Sequence, residues 1–210
     1  MTSLADHFAA SGSKSDFATR YLAYLSELLA QLDVEVIEQI IDAFVEAGER
    51  ENTIYFIGNG GSAATASHFA SDIAFNTRAP GIKPIRAVSL VDNQAVVTAL
   101  ANDEGYDKIF IRQLEGVLQS GDVVVALSVS GNSPNVVEAV RYAKEMGAMA
   151  IGCTGFDGGA LRPMVDLNLH VPTPRGEYGP VEDIFQILDH LIYTYLRLER
   201  RGHLAHQVGD

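Results

Sequence analysis

The sequence is poor in the features that cross-link a chain, span a membrane or attract polyanions. Cys153 is the single cysteine among 210 residues. No internal disulfide can form, and a reducing compartment is the natural setting. A run of about 18 uninterrupted apolar residues, the minimum for a spanning helix, does not occur. The opening Met1-Thr2-Ser3-Leu4-Ala5-Asp6-His7-Phe8 lacks the basic and apolar segments of a secretory signal. These absences predict a cytoplasmic protein without a membrane partner. Positive charge is scarce as well: 15 Lys and Arg face 27 Asp and Glu, for a net charge of −12 and a pI near 4.8. That balance excludes nucleic acid approached through bulk positive charge. It does not exclude a small anionic substrate, because a helix N-terminus attracts an anion locally whatever the distant charge.

With 47% hydrophobic and 20% charged residues and a mean hydropathy of +0.09, the chain has the composition of a folded globular protein. Its length suits one domain, read here as residues 1–210. From Phe17 to about Glu49, Tyr21, Leu22, Leu25, Leu28 and Leu29, then Val36, Ile37, Ile40, Ile41, Phe44 and Val45, recur at helical spacing around a break at Leu32-Asp33-Val34. This predicts an N-terminal helical hairpin within residues 1–50. Thr53–Ile57, Arg86–Leu90, Val123–Leu127, Met149–Cys153 and Leu167–Val171 are short apolar runs separated by helical or irregular segments. Buried strands joined by crossovers imply a parallel sheet, so residues 51–201 are expected to form an α/β fold, a three-layer αβα sandwich with a five-stranded parallel sheet. Val181, Ile184, Leu188, Leu191, Tyr195 and Leu198 form an apolar stripe on a last helix reaching about Arg200, before a polar tail over 202–210.

Two loops look suited to phosphate. Ile57-Gly58-Asn59-Gly60-Gly61-Ser62-Ala63 leaves a strand and opens a helix, so backbone N–H groups and the helix dipole converge on one point. No Lys-Ser or Lys-Thr follows, which excludes a Walker A loop. The string fits the relaxed dinucleotide pattern G-x-G-x-x-A, but the acidic ribose ligand belongs about 20 residues on. The nearest candidate, Asp92, lies 34 residues beyond Gly58. The second loop, Ser128-Val129-Ser130-Gly131-Asn132-Ser133-Pro134-Asn135, sets three hydroxyls before another helix. One serine there is an ordinary cap; three within six residues, matched by a second loop of like geometry, point to phosphate.

At about 100° per residue, Ala63, Ala66, Phe69, Ala70 and Ile73 face one side of the first crossover helix while His68 and Asp72 face the other. Glu182, Gln186 and His190 form an i, i+4, i+8 row behind the stripe of the last helix. Rows pointing away from their helices' own apolar stripes are readily assembled across a subunit boundary, which predicts a homo-oligomer.

Gly58-Asn59-Gly60-Gly61-Ser62-Ala63, His68-Phe69-Ala70, Ala101-Asn102-Asp103 and Ser128-Val129-Ser130-Gly131-Asn132-Ser133-Pro134-Asn135 together resemble the sugar isomerase (SIS) domain of the phosphoheptose isomerase family. The resemblance covers most of the chain and implies a flavodoxin-like SIS fold. It implies an aldose-ketose isomerase that converts sedoheptulose 7-phosphate to D-glycero-D-manno-heptose 7-phosphate through an enediol, for heptose biosynthesis. Carried over by position, it implies substrate contacts at Asn59, Gly60, Gly61, Ser62, Asp72, Asn102, Asp103, Ser128, Val129, Ser130, Ser133 and Glu182. Asp72 and His190 are implied as the catalytic carboxylate and histidine. His68, Asp72, Glu182 and His190 are implied as ligands of a metal ion, usually zinc, in a homotetramer with sites at subunit interfaces. The chain departs from the family pattern at Asp72, where Glu is usual, at Glu182, where Gln is usual, and at Asn76 and Pro180, where Arg is common. The DnaA initiator-associating regulators resemble the chain in the glycine loop but lack counterparts of Asp72 and His190, so both residues favour an enzyme over a binding module.

Overall fold

A computed structural model describes residues 2–207, with side chains through residue 202. The chain begins with a six-residue helix, α1 (Leu4–Ala9), whose first turn is closed by Ser3 and Asp6 in a reciprocal capping box. No periodic pattern announces an element this short. The predicted hairpin follows as α2 (Lys14–Leu29) and α3 (Val34–Glu49), with Ser13 and Asp33 as N-caps. Asp33, read as part of the break, starts the second helix because its carboxylate accepts the N–H groups of Glu35 and Val36.

Five strands then alternate with helices: β1 (Thr53–Gly58), β2 (Arg86–Ser89), β3 (Val123–Ser128), β4 (Met149–Gly155) and β5 (Leu167–Val171). They form one sheet in the order β2-β1-β3-β4-β5, parallel at every pairing. Successive side chains of a strand point to opposite faces. Ile54 and Phe56 therefore join a core with Phe44, Phe69 and Phe185, while Tyr55 and Ile57 join a second core with Phe110, Leu114 and Val140. The first face is covered by α2, α3, α4 (Gly61–Ser71) and α8 (Tyr178–Gln207). The second is covered by α5 (Gln94–Asp103), α6 (Ile111–Leu114) and α7 (Pro134–Glu145). The expected three-layer sandwich is present.

Two features of the helices differ from the sequence reading. Helix α8 continues past Arg200 to Gln207, so residues 202–207 of the expected polar tail are helical; 208–210 lie outside the described residues. Its buried stripe is Val181, Ile184, Phe185, Leu188, Ile192 and Leu196, whereas Leu191, Tyr195 and Leu198 are exposed. Helix α4 passes directly into a π-helical turn, Asp72–Asn76. Asp72, expected on the outer face with His68, keeps its backbone bond to the His68 carbonyl and stays beside His68, yet is buried, because α8 packs over that face. Among the described residues no helix is long and apolar enough to cross a membrane.

Candidate active site

Strand order reverses between β1 and β3, the switch point where ligands of open parallel sheets bind beyond the strands' carboxyl ends. Both glycine- and serine-rich loops leave the sheet there. Between them lies a cleft of about 290 Å³ lined by Asn59, Gly60, Gly61, Ser62, Leu127, Ser128, Val129, Ser130, Ser133, Tyr178 and Glu182. Every residue expected from the two loops is thus in one place. Asn102 and Asp103 are not: they end α5, exposed, with the Asn102 amide donating to Asp103 Oδ1 at 2.7 Å.

The local backbone explains the cleft. Gly60 adopts φ +55 as it turns the chain from β1 into α4, and at the N-cap position it brings no capping side chain. Ser133 precedes Pro134 at the start of α7, and it too makes no capping bond. Its hydroxyl instead lies 3.5 Å from that of Ser128. The Glu182 carboxylate takes the Ser62 N–H at α4 and Asn135 Oδ1 takes the Val136 N–H at 3.0 Å at α7, while the remaining N–H groups of the two helix starts and three serine hydroxyls border one space, an arrangement that favours a phosphate. The loops are tied together by Asn59 and Asn135, whose amides exchange two hydrogen bonds of 2.9 Å, and by the Tyr106 hydroxyl donating to Asn59 Oδ1 at 2.9 Å. Asn135 closes the serine-rich motif but was given no role of its own, and Tyr106 and Tyr178 were not singled out; nothing in the local pattern distinguishes those two.

Glu182 sits at the α4 N-terminus, so close to Gly61 that a Cβ there would collide with its carboxylate. Burial, and then the charge of Asp183, push its carboxyl above the ordinary range, with the Ser62 backbone N–H opposing. This places Glu182 in the cleft, as expected of a substrate contact. It also separates Glu182 from the other three expected metal ligands.

Those three converge at the other end of α4. His68 Nε2 is 3.3 Å from His190 Nε2 and 3.3 Å from Asp72 Oδ2, and Asp72 Oδ1 accepts from the Asn76 amide at 2.5 Å. The fourth member is Asp189, whose Oδ2 lies 3.7 Å from His68 Nε2 and accepts from the Gln186 amide at 2.8 Å. One ligand atom from each of His68, Asp72, Asp189 and His190 falls within 4.8 Å of the others, a group able to hold a metal ion. Burial pushes the Asp189 carboxyl up to about 7, with Asp72's charge adding to the shift and the Gln186 hydrogen bond opposing it. Asp189 was missed by the sequence reading. The signal was there in Phe185, Asp189, Ile192 and Leu196, a helical stripe with one carboxylate in it.

His68, Asp72 and His190 meet within one chain, on adjacent faces of α4 and α8. Contact among these three therefore needs no second subunit, because α8 packs over the face of α4 that carries His68. The dinucleotide reading also loses its support, since the carboxylate of Asp92 accepts the Ser67 hydroxyl at 2.5 Å and the strand order is not that of a dinucleotide fold.

The family model of the SIS domain matches residues 17–155. The chain belongs to the phosphoheptose isomerase family. It is 37% identical over 174 residues to the phosphoheptose isomerase of Trichlorobacter lovleyi, a match covering 80% of this chain and 87% of that one. With that of Geobacter sulfurreducens it shares 45% identity over 148 residues, 68% of this chain and 76% of the relative. The structure of the phosphoheptose isomerase from Neisseria gonorrhoeae superposes with a TM-score of 0.78 at 29% identity, covering 88% of this chain and 98% of that one. The chain is a phosphosugar isomerase, and the regulator reading is not favoured.

Proposed function

We propose that this isomerase interconverts a seven-carbon ketose 7-phosphate and the corresponding aldose phosphate, sedoheptulose 7-phosphate being the substrate that the family resemblance indicates. The observation that carries the reading is the pairing of a serine-lined cleft at two helix N-termini with a separate imidazole-carboxylate cluster along the same helix pair. Glu182 and His190 are eight residues apart, about 12 Å along α8. That separation suits a ligand whose phosphate lies at one end and whose reacting carbons lie at the other.

The phosphate is held by the hydroxyls of Ser128, Ser130 and Ser133 and by the N–H groups that begin α7. Sugar oxygens meet Asn59, Gly60, Gly61, Ser62 and Glu182. At the far end a base removes the C1 proton of the ketose while an acid protonates the C2 oxygen, giving the enediol. A proton then leaves the C1 oxygen and one is returned to C2, giving the aldose. Asp72 serves the carbons and His190 the oxygens, because an ionised carboxylate accepts a carbon-bound proton and an imidazole exchanges protons near neutrality. His68, Asp72 and His190 also offer the donor types that suit zinc. A divalent cation held there supplies, when bound, Lewis-acid polarisation of the carbonyl.

A homotetramer with shared sites is supported by the family resemblance and by two features of the surface. Ile187, Leu191, Tyr195 and Leu198 leave an exposed apolar row on α8, beside His190. Asn102 and Asp103 stand outside their own chain's cleft, where a neighbouring subunit's site can use them. The acidic charge, and the single cysteine that a reducing compartment suits, favour the cytoplasm. The test of the reading is incubation with C5, C6 and C7 ketose phosphates in D2O, followed by NMR. Conversion with deuterium incorporation restricted to the C7 substrate is the expected result, and absence of exchange with every sugar would falsify the isomerase assignment.

A further inference from the structure

Asp189 is fully buried; its Oδ2 lies 3.7 Å from His68 Nε2, within the cluster, and its Oδ1 has no hydrogen-bond partner among the described residues. Such an oxygen is costly unless something opposite it supplies positive charge. We propose that Asp189, and not Glu182, is the fourth protein ligand of a divalent cation held with His68, Asp72 and His190. This rests on the reading that the enzyme takes a metal.

With both carboxylates ionised and both imidazoles neutral, the state in which ligands bind a cation, the cluster has too few protons for its acceptors. His68 Nε2 faces His190 Nε2, Asp72 and Asp189 at 3.3, 3.3 and 3.7 Å, and one N–H cannot serve all three. Two imidazole nitrogens confronting each other share at most one proton in the neutral form. The amides of Asn76 and Gln186 reach one oxygen of each carboxylate, Asp72 Oδ1 and Asp189 Oδ2. Two carboxylates and two neutral imidazoles match the charge and donor set of one divalent cation. Glu182 is held elsewhere: its carboxylate lies against Gly61 and Ser62 at the start of α4, while His68 and Asp72 stand at its end. Asp189 is adjacent to His190 and already inside the cluster. Asp72, shorter by a methylene than the Glu usual in the family, then shares the site with a second carboxylate, and Glu182 stays in the cleft facing the sugar.

The test is metal binding by the full-length protein, prepared without affinity metal, stripped with chelator and titrated with Zn2+ and Co2+. Wild type is expected to take one ion per chain, to show a Co2+ visible band and to gain thermal stability on loading. Asp189→Asn should bind about 10–100-fold more weakly, with the band altered and the stability gain lost, since a direct ligand matters at least as much as the outer partners of metal sites. Glu182→Gln should bind within about twofold of wild type. If Asp189→Asn does not fold, Asp189→Glu serves, with a shifted Co2+ band expected; an unshifted band overturns the proposal. Equal affinity in wild type and Asp189→Asn, or a tenfold loss in Glu182→Gln, also overturns it while leaving the metal reading intact. A wild-type protein that takes up no ion ends both, and sugar turnover by that metal-free protein would show that the isomerase reading survives alone.

Discussion

Ser133 occupies the position where a serine normally caps a helix, yet its hydroxyl makes no capping bond and turns to the cleft beside Ser128. A hydroxyl released from a local role is free for a ligand. An anchor on the phosphate, remote from the reacting carbons, contributes chiefly to binding that is equal in ground and transition states. The Ser130→Ala, Ser133→Ala double variant is therefore expected to raise KM for the phosphosugar about tenfold or more with a smaller fall in kcat, in steady-state assays. An unchanged KM would place the phosphate elsewhere. Asp72 and His190 should divide differently. Asp72→Asn is expected to bind substrate almost as wild type but to abolish both turnover and deuterium wash-in, because without a carbon base no enediol forms. His190→Ala should stop turnover while retaining slow exchange. Wash-in that persists in Asp72→Asn and vanishes in His190→Ala would invert the roles. A group that binds metal tightly is a weaker base, so Asp72→Asn and His190→Ala are to be compared at equal metal loading.

At the scale of the element, most of the architecture was legible because each strand is a bounded apolar run and the long helices carry apolar stripes, with caps at Ser13 and Asp33 marking the first two. What was not legible has local physical causes. Helix α1 is too short to show a period. The π-helical turn at Asp72–Asn76 has no signature in the pattern, and neither does the packing of α8 that buries Asp72, which is a tertiary contact that helical spacing does not show. On α8 the sequence offers more apolar positions than one buried face needs, so the stripe chosen from spacing included Leu191, Tyr195 and Leu198, which the fold leaves exposed. The same crowding hid Asp189. The loop between β3 and α7 shows the converse, a site that could be read from sequence because its geometry is dictated by few residues. Gly131 has φ +62, and a Cβ there would collide with the carbonyl of Gly158. That neighbouring loop is bound to it by Leu161 N–H to the Gly131 carbonyl at 3.0 Å. Gly131→Ala is expected to lower the unfolding free energy by about 1–3 kcal/mol, from backbone strain alone, and to raise KM as the serine loop shifts. Urea denaturation and steady-state kinetics check the two effects together.

At the scale of the whole molecule, the question is which parts of the site one chain supplies to itself. Asp72, Asp189, His68 and His190 meet through the packing of α4 on α8, so this cluster is complete within a subunit. Asn102 and Asp103, implied as substrate contacts by the family resemblance, end α5 on the exposed surface and do not line their own chain's cleft. If sites are shared in a tetramer, those two residues are the ones a neighbour lends, and the apolar row of α8 is the surface that brings neighbours together. Subunit exchange separates the cases. Mixing inactive Asp72→Asn with inactive His190→Ala should restore no activity, because every cluster carries one lesion whichever chains associate. Mixing Asp72→Asn with Asp103→Asn should restore a fraction of wild-type activity, because some sites then combine an intact cluster with an intact neighbour. Recovery in the first mixture would mean that Asp72 and His190 act across an interface despite their contact through His68. No recovery in the second, or a monomer by light scattering, would mean that Asp103 belongs to its own chain's site or to none.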